Sequence, residues 1–288
     1  MGAAYAHPEA LIETDWLAAH LSDSNLRILD GTFTLPGVSP AGAEMYARQH
    51  IPGAIFFDID GIRDETDPLP HMLPDAPSFA RIMGGLGVGN HHKVVIYDAF
   101  GLSTAPRVWW TLRVFGHRDV AVLNGGLAKW LAEQRPVTTE VPQFPAATFD
   151  AKLDRSRVRD KAQMLANLRS RREQVIDARN AGRFAGTEPE PRAGLRGGHI
   201  PGSLSLPSTE LIDKATRTVL PADALAGRFR AAGADPAKAT AATCGSGVTA
   251  AALAFGAYLL GWPEPAVYDG SWSEWGLPGD TPVATGPA

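Results

Sequence analysis

Cys244 is the one cysteine in a chain of 288 residues, and it stands in the loop Thr243-Cys244-Gly245-Ser246-Gly247-Val248-Thr249. Upstream, residues 239–243 read as a small buried strand. Downstream, Ala250 to Leu260 form an apolar, alanine-rich helical run closed by Gly261 and Pro263. The thiol therefore belongs to a short turn that feeds a helix N-terminus. Gly245 and Gly247 let the backbone fold into a cradle whose N–H groups point at the sulfur, and the first-turn amides carry the positive end of the helix dipole. Both favour a thiolate, which is the nucleophilic form of cysteine. The alternative is a buried structural cysteine, which needs neither the glycines nor the helix start.

Composition excludes several other classes. The chain is 44% hydrophobic and 20% charged, as ordinary globular proteins are, with a net charge of −4. Its longest basic block is Arg169-Ser170-Arg171-Arg172, so nucleic acid is not an expected partner. One cysteine allows no internal disulfide and no cysteine-rich zinc site. Met1 to Glu13 lacks the basic start and apolar core of a signal peptide, and no run is apolar enough to span a membrane. A reducing, cytoplasmic setting is the expectation.

The chain repeats itself. His50-Ile51-Pro52-Gly53-Ala54 recurs as His199-Ile200-Pro201-Gly202-Ser203, Ile28-Leu29-Asp30 as Val175-Ile176-Asp177, and Phe115-Gly116 as Leu260-Gly261. Asn124-Gly125-Gly126 with Trp130 recurs as Asp269-Gly270-Ser271 with Trp275. So long a period indicates domain duplication: residues 1–136 and 159–288, joined by a proline-containing, aperiodic linker at 137–158.

Within each half, strands alternate with helices. The first half predicts a helix from an N-cap at Thr14 to Leu21, strands at Leu26–Asp30, Lys93–Tyr97 and Val120–Leu123, and a helix capped by Ser78 through Met83. Helices over Ala105–Phe115 and Gly126–Glu133 complete it. The second half predicts helices at 159–172 and 222–231, strands at 174–177 and 266–268, and the cysteine loop with its flanks. Fully apolar strands alternating with helices give an α/β fold, two tandem domains each with a mostly parallel sheet covered by helices. Ligands of such sheets bind beyond the carboxyl ends of the strands, where Cys244 falls. The corresponding residue of the first half is Asp98, which cannot carry a transferable sulfur; that half is expected to shape the cleft or to be purely structural.

Tandem halves with these His-Ile-Pro-Gly motifs, Ala105-Pro106-Arg107-Val108-Trp109-Trp110, an aspartate for cysteine in the first half and the loop from Cys244 to Thr249 together resemble the rhodanese superfamily over essentially the whole chain. Within it the loop resembles that of the 3-mercaptopyruvate sulfurtransferases; thiosulfate sulfurtransferases typically place an arginine and a lysine after the cysteine. The resemblance implies sulfur transfer from 3-mercaptopyruvate through a Cys244 persulfide to a thiol acceptor, thioredoxin by family analogy, or to cyanide, with no cofactor and no metal. Thiosulfate as donor is the alternative, and a non-catalytic rhodanese-like binding module the remote one. Physics supports the same split. A compact dianion calls for cations near the sulfur, and Gly245 and Ser246 bring none.

Cations must then come from Arg179, Arg183, Arg192 and Arg196. The resemblance implies that Arg183 and Arg192 grip the substrate, alongside Gly245, Gly247, Val248 and Thr249 of the loop; Arg179 and Arg196 read better as structural ion pairs. Glu188 and Glu190 lie near enough to pair with any of these arginines. The resemblance further implies a proton relay of Ser246 with His71 and Asp60, though a histidine in a polar loop is more often structural. Ser103 stands where relatives often carry an aromatic residue, which would open the cleft.

Other signals carry less. Gly85-Leu86-Gly87-Val88-Gly89 precedes a strand and so reads as a helix C-cap and turn, not a dinucleotide loop. His91-His92 reads as a solvated loop, and Trp272 and Trp275 as core. A cysteine phosphatase would need an arginine six residues after Cys244, where Ala250 stands.

Overall fold

The structure is a computed structural model that describes residues 4–288; the first three residues of the Met1–Glu13 stretch lie outside it. Apolar runs too short and too continuous for helices pair as two parallel sheets, one per repeat. The first contains β1 (Leu11–Ile12), β2 (Leu26–Asp30), β3 (Ala54–Phe56), β4 (Lys93–Tyr97) and β5 (Val120–Leu123), in the order β1-β5-β4-β2-β3. The second contains β6 (Val158–Arg159), β7 (Gln174–Asp177), β8 (Leu204–Ser205), β9 (Thr240–Thr243) and β10 (Ala266–Tyr268), in the order β6-β10-β9-β7-β8. Every pairing within both sheets is parallel. The strand order reverses between β2 and β4, and again between β7 and β9, so each half has its crevice at that point. The loops bearing Asp98 and Cys244 open into those crevices.

Helices cover both sheets: α1 (Thr14–His20), α2 (Gly42–Arg48), α3 (Ala76–Gly85), α4 (Ala105–Val114) and α5 (Gly126–Ala132) in the first half. In the second they are α6 (Lys161–Ser170), α7 (Ala181–Ala185), α8 (Ala222–Ala231), α9 (Ala250–Leu259) and α10 (Ser271–Trp275). The helix after each loop is the one that joins the halves. α9 is buried on nearly every side, and its Phe255 meets Trp109 of α4 edge to face at 5.0 Å between ring centroids. An alanine-rich helix with no polar face suits such a central position, since it admits close approach all round. The two loops are thus held at the N-terminal ends of two packed helices.

Several local expectations are corrected. The N-cap of α1 is Glu13, and Thr14 instead donates its hydroxyl to Glu133 at 2.6 Å. The cap of α3 is Asp75, whose carboxylate accepts the Ser78 N–H at 2.7 Å; the cap must precede the helix, and Ser78 is already inside it. The helix expected from residue 159 begins at Lys161 because Asp160 forms a capping box with Gln163, leaving Val158 and Arg159 to β6. The connecting segment is tied at both ends, through the Thr138–His50 bridge and through β6. His92 is buried, not solvated: its Nδ1 accepts the Gly89 N–H at 2.9 Å. Trp272 and Trp275 are fully buried.

Candidate active site

Cys244 leaves β9 at the base of a cavity of about 170 Å³ and is 2% exposed. The second half lines this cavity with Cys244, Gly245, Ser246, Val248 and Thr249 together with Arg183 and Arg192. The first half closes it with Phe33, Leu35, Ser103 and Thr104. Ser103 therefore faces the cleft, a small hydroxyl where a ring would have filled space.

The loop is fixed from below by the turn into α10. Ser271 Oγ accepts the Cys244 N–H at 3.2 Å, the Cys244 carbonyl accepts the Trp272 N–H at 2.9 Å, and the Gly245 carbonyl accepts from both N–H and Oγ of Ser273. These serines escaped the sequence reading; the Asp-Gly-Ser turn before Trp275 was their only signal. Gly245 leaves room for Arg183, whose Nη2 would be 2.9 Å from a Cβ there. Gly247 lies behind the cavity at φ +75, and a Cβ would press on the Asp269 carbonyl at 2.8 Å and on Arg107 at 2.9 Å. Among the described residues, the N–H groups of Gly245, Ser246, Gly247 and Val248 have no acceptor, Cys244 Sγ included. The cradle expected around the thiolate therefore keeps its donors unpaired, and Gly245, Ser246 and Val248 among them line the cavity.

The arginines sort by their partners. Arg179 is fully buried against Asp177 and Glu190, with its guanidinium 4.1 Å from the Trp272 ring centroid. Arg196 spends its donors on the carbonyls of Gly276, Trp275 and Thr281. Both are structural. Arg183 lines the cavity but is paired to Glu190 at 2.6 Å, and that Glu190 carboxylate, 2% exposed, also holds Arg179. Asp177, Arg179, Glu190 and Arg183 thus form an alternating, charge-balanced chain. Arg192 is the one cavity cation with no ion pair among the described residues. Burial lowers its pKa, while the charges of Cys244 and Asp60 push it back up.

Ser246, His71 and Asp60 meet across the two halves. His71 Nδ1 is 3.0 Å from Ser246 Oγ, and His71 Nε2 is 2.8 Å from Asp60 Oδ1. The bond from His71 holds the Asp60 carboxyl below its usual range; partial burial opposes this and Arg192 reinforces it. With Asp60 ionised, Nε2 carries the ring proton, leaving Nδ1 to accept the Ser246 hydroxyl. The ring is 2% exposed and Phe33 packs its edge against it at 4.8 Å. Two residues that the sequence showed only as members of motifs, with no role in the site, stand behind this line, Arg107 and Asp269, an ion pair at 2.8 Å buried between the halves. No group of three His, Cys, Asp or Glu is placed to hold a metal ion among the described residues.

A rhodanese-like domain matches residues 13–133 and again 160–277. The chain is 44% identical over 272 residues to 3-mercaptopyruvate sulfurtransferase of Homo sapiens, covering 92% of this chain and 91% of that protein. It is 45% identical over 286 residues to thiosulfate sulfurtransferase of Cricetulus griseus, covering 96% of each. Among solved structures, SseA from Escherichia coli, described as a 3-mercaptopyruvate sulfotransferase with the rhodanese fold, aligns with a TM-score of 0.83 at 38% identity, over 92% of this chain and 99% of that one.

Proposed function

The chain belongs to the rhodanese family, and from that premise we propose that it is a 3-mercaptopyruvate sulfurtransferase working through a Cys244 persulfide. Near-equal identity to proteins of both donor types leaves the choice of donor to the site. The observation that carries the reading is the hydrogen-bonded line from Ser246 through His71 to Asp60 at the rim of the cysteine loop. The two donors differ in protons. Thiosulfate gives up its outer sulfur to a thiolate and leaves as sulfite with no proton moved. Mercaptopyruvate must lose a thiol proton and gain one at carbon.

In the reaction Cys244 thiolate attacks the sulfur of mercaptopyruvate, the carbon–sulfur bond breaks, and its electron pair goes to the enolate of pyruvate. Ser246, backed by His71, takes the substrate's thiol proton and returns it to the enolate carbon. The products are pyruvate and a persulfide anion on Cys244, so charge and protons balance. The unpaired N–H groups of the loop then face the terminal sulfur, as preorganised donors face an oxyanion. Arg192 holds the substrate carboxylate, Arg183 supports it from its place against Gly245, and Val248 and Thr249 bound the donor.

A sulfur buried at the base of so small a cavity is open only to a narrow acceptor, such as a thiol on an exposed loop of a thioredoxin-like protein, or cyanide. A single unpaired cysteine supports a reducing, cytoplasmic setting; no helix among the described residues is long and apolar enough to cross a membrane. The division into 1–136, 137–158 and 159–288 is supported by the separate sheets, with the nucleophile and the arginines in the second half and a cleft wall together with His71 and Asp60 from the first. The deciding experiment is a side-by-side assay with mercaptopyruvate and thiosulfate as donors and Cys244→Ser as blank. A higher kcat/KM for mercaptopyruvate, lost in the variant, is expected; preference for thiosulfate would overturn the reading.

A further inference from the structure

We infer that Arg107, supplied by the first half, is the positioning residue that sets the Ser246–His71 hydrogen bond. It stands in the first turn of α4, 3% exposed, and does not line the cavity. Its guanidinium faces three segments at once. Nη1 donates to Asp269 Oδ1 at 2.8 Å and to the Gly247 carbonyl at 3.3 Å, and Nη2 donates to the His71 carbonyl. The second oxygen of Asp269 accepts the Leu73 N–H at 2.8 Å. Trp110 stacks under the guanidinium at 4.6 Å.

The consequence lies in which backbones are held. His71 adopts φ +62, a left-handed conformation that a residue with a Cβ keeps only when its surroundings impose it. Arg107 grips its carbonyl, and Asp269 grips the N–H two residues on. Gly247, the residue after Ser246, is also left-handed at φ +75, and its carbonyl goes to the same guanidinium. One planar fork therefore fixes both partners of the 3.0 Å bond, one from each half. Lysine has a single nitrogen and cannot span three acceptors in that geometry. The first half, which has lost the nucleophile, thus still sets the geometry of the proton relay.

This inference rests on the relay assigned above, and the test keeps the two apart. Arg107→Lys and Asp269→Asn are assayed with mercaptopyruvate and with thiosulfate, cyanide being the acceptor throughout, beside Ser246→Ala and His71→Gln. For Arg107→Lys the mercaptopyruvate kcat is expected to fall about 10–100-fold with little change in KM, while thiosulfate turnover stays within about threefold. A solvent deuterium isotope effect on mercaptopyruvate turnover should grow, with no such change for thiosulfate. Asp269→Asn should do the same more mildly, and it decides the matter if Arg107→Lys does not fold. Proportional loss of both donors in folded protein, or an unchanged mercaptopyruvate kcat, overturns the inference. If Ser246→Ala and His71→Gln themselves leave mercaptopyruvate kcat intact, the relay falls, and the role of Arg107 with it.

Discussion

Asp98 and Cys244 hold the same point of the two halves, each the first residue after the strand at its crevice, and Asp98 fills with its own carboxylate a cradle that stays open around Cys244. The Asp98 oxygens accept the N–H groups of Phe100, Gly101, Ser103, Thr104 and Ala105 at 2.7–2.8 Å. In the second half the corresponding donors at Gly245 to Val248 have no acceptor among the described residues. The duplicated loop is built to surround an anion. One copy contains it permanently, and the other leaves the place to the chemistry.

If the Asp98 carboxylate is what organises its loop, Asp98→Ala strands five donors ahead of and at the start of α4, three of them buried. Loss of charge-assisted hydrogen bonds of this kind destabilises by about 3 kcal/mol. The midpoint of urea unfolding should fall accordingly, with mercaptopyruvate turnover reduced because α4 carries Arg107. A midpoint within error of wild type would mean the loop is held by its packing instead.

Arg192 and Arg183 should separate kinetically although both line the cavity. Arg192 has no ion pair, so its charge is available to the substrate carboxylate; Arg183 already shares Glu190. Arg192→Gln is expected to raise KM for mercaptopyruvate about 10–100-fold, the worth of a charge-assisted bond. Arg183→Gln should raise it by roughly tenfold at most, and it should also lower the melting temperature by leaving Glu190 half paired. Equal KM effects would show that Glu190 releases Arg183 when substrate binds.

The same carboxylate bears on donor choice. Asp177 and Glu190 between them neutralise Arg179 and Arg183, leaving one uncompensated cation, Arg192, for a donor carrying one carboxylate. Glu190→Gln keeps the shape and frees a positive charge beside Gly245. Thiosulfate, a dianion, gains more from that charge, so its kcat/KM relative to mercaptopyruvate should rise severalfold. A falling ratio in the variant would mean that Glu190 matters for the geometry of Arg183 and not for its charge.

Much of this architecture was legible in the residues. The central strands Lys93–Tyr97 and Val120–Leu123 read directly because a strand buried on both faces is a nearly continuous apolar run, and Leu26–Asp30 does so although Arg27 interrupts it. The edge strands β1, β3, β6 and β8 have only two or three residues, too few for any period, and they exist because a neighbour offers a ladder. Cys244 announced itself by type and loop chemistry. Arg107 did not, since in sequence it is one polar position in the first turn of a helix; its three acceptors come from segments that meet only when the halves dock. Glu190 was visible only as one of two acidic neighbours, and nothing along the chain says that it serves two arginines.

His92 gives the fold a pH dependence with a definite sign. It is 4% exposed, its Nδ1 accepts the Gly89 N–H, and burial lowers its pKa from 6.5 to about 4, with nearby positive charges adding to the effect. Protonation in the folded state would put a charge in the core and remove that acceptor. Between pH 6.5 and 4 the unfolded chain therefore binds a proton that the folded one refuses. The stabilising contribution is complete above pH 6.5 and is lost as the pH falls toward 4. Linkage puts the loss from pH 7 to pH 5 at about 2 kcal/mol. His117, also buried and lowered, acts in the same direction. His92→Asn keeps an acceptor for Gly89 and cannot titrate, so its stability deficit against wild type should shrink by about that amount between pH 7 and pH 5 in urea titrations. A deficit that is the same at both pH values would mean that His92 charges in the folded state as readily as in the unfolded one.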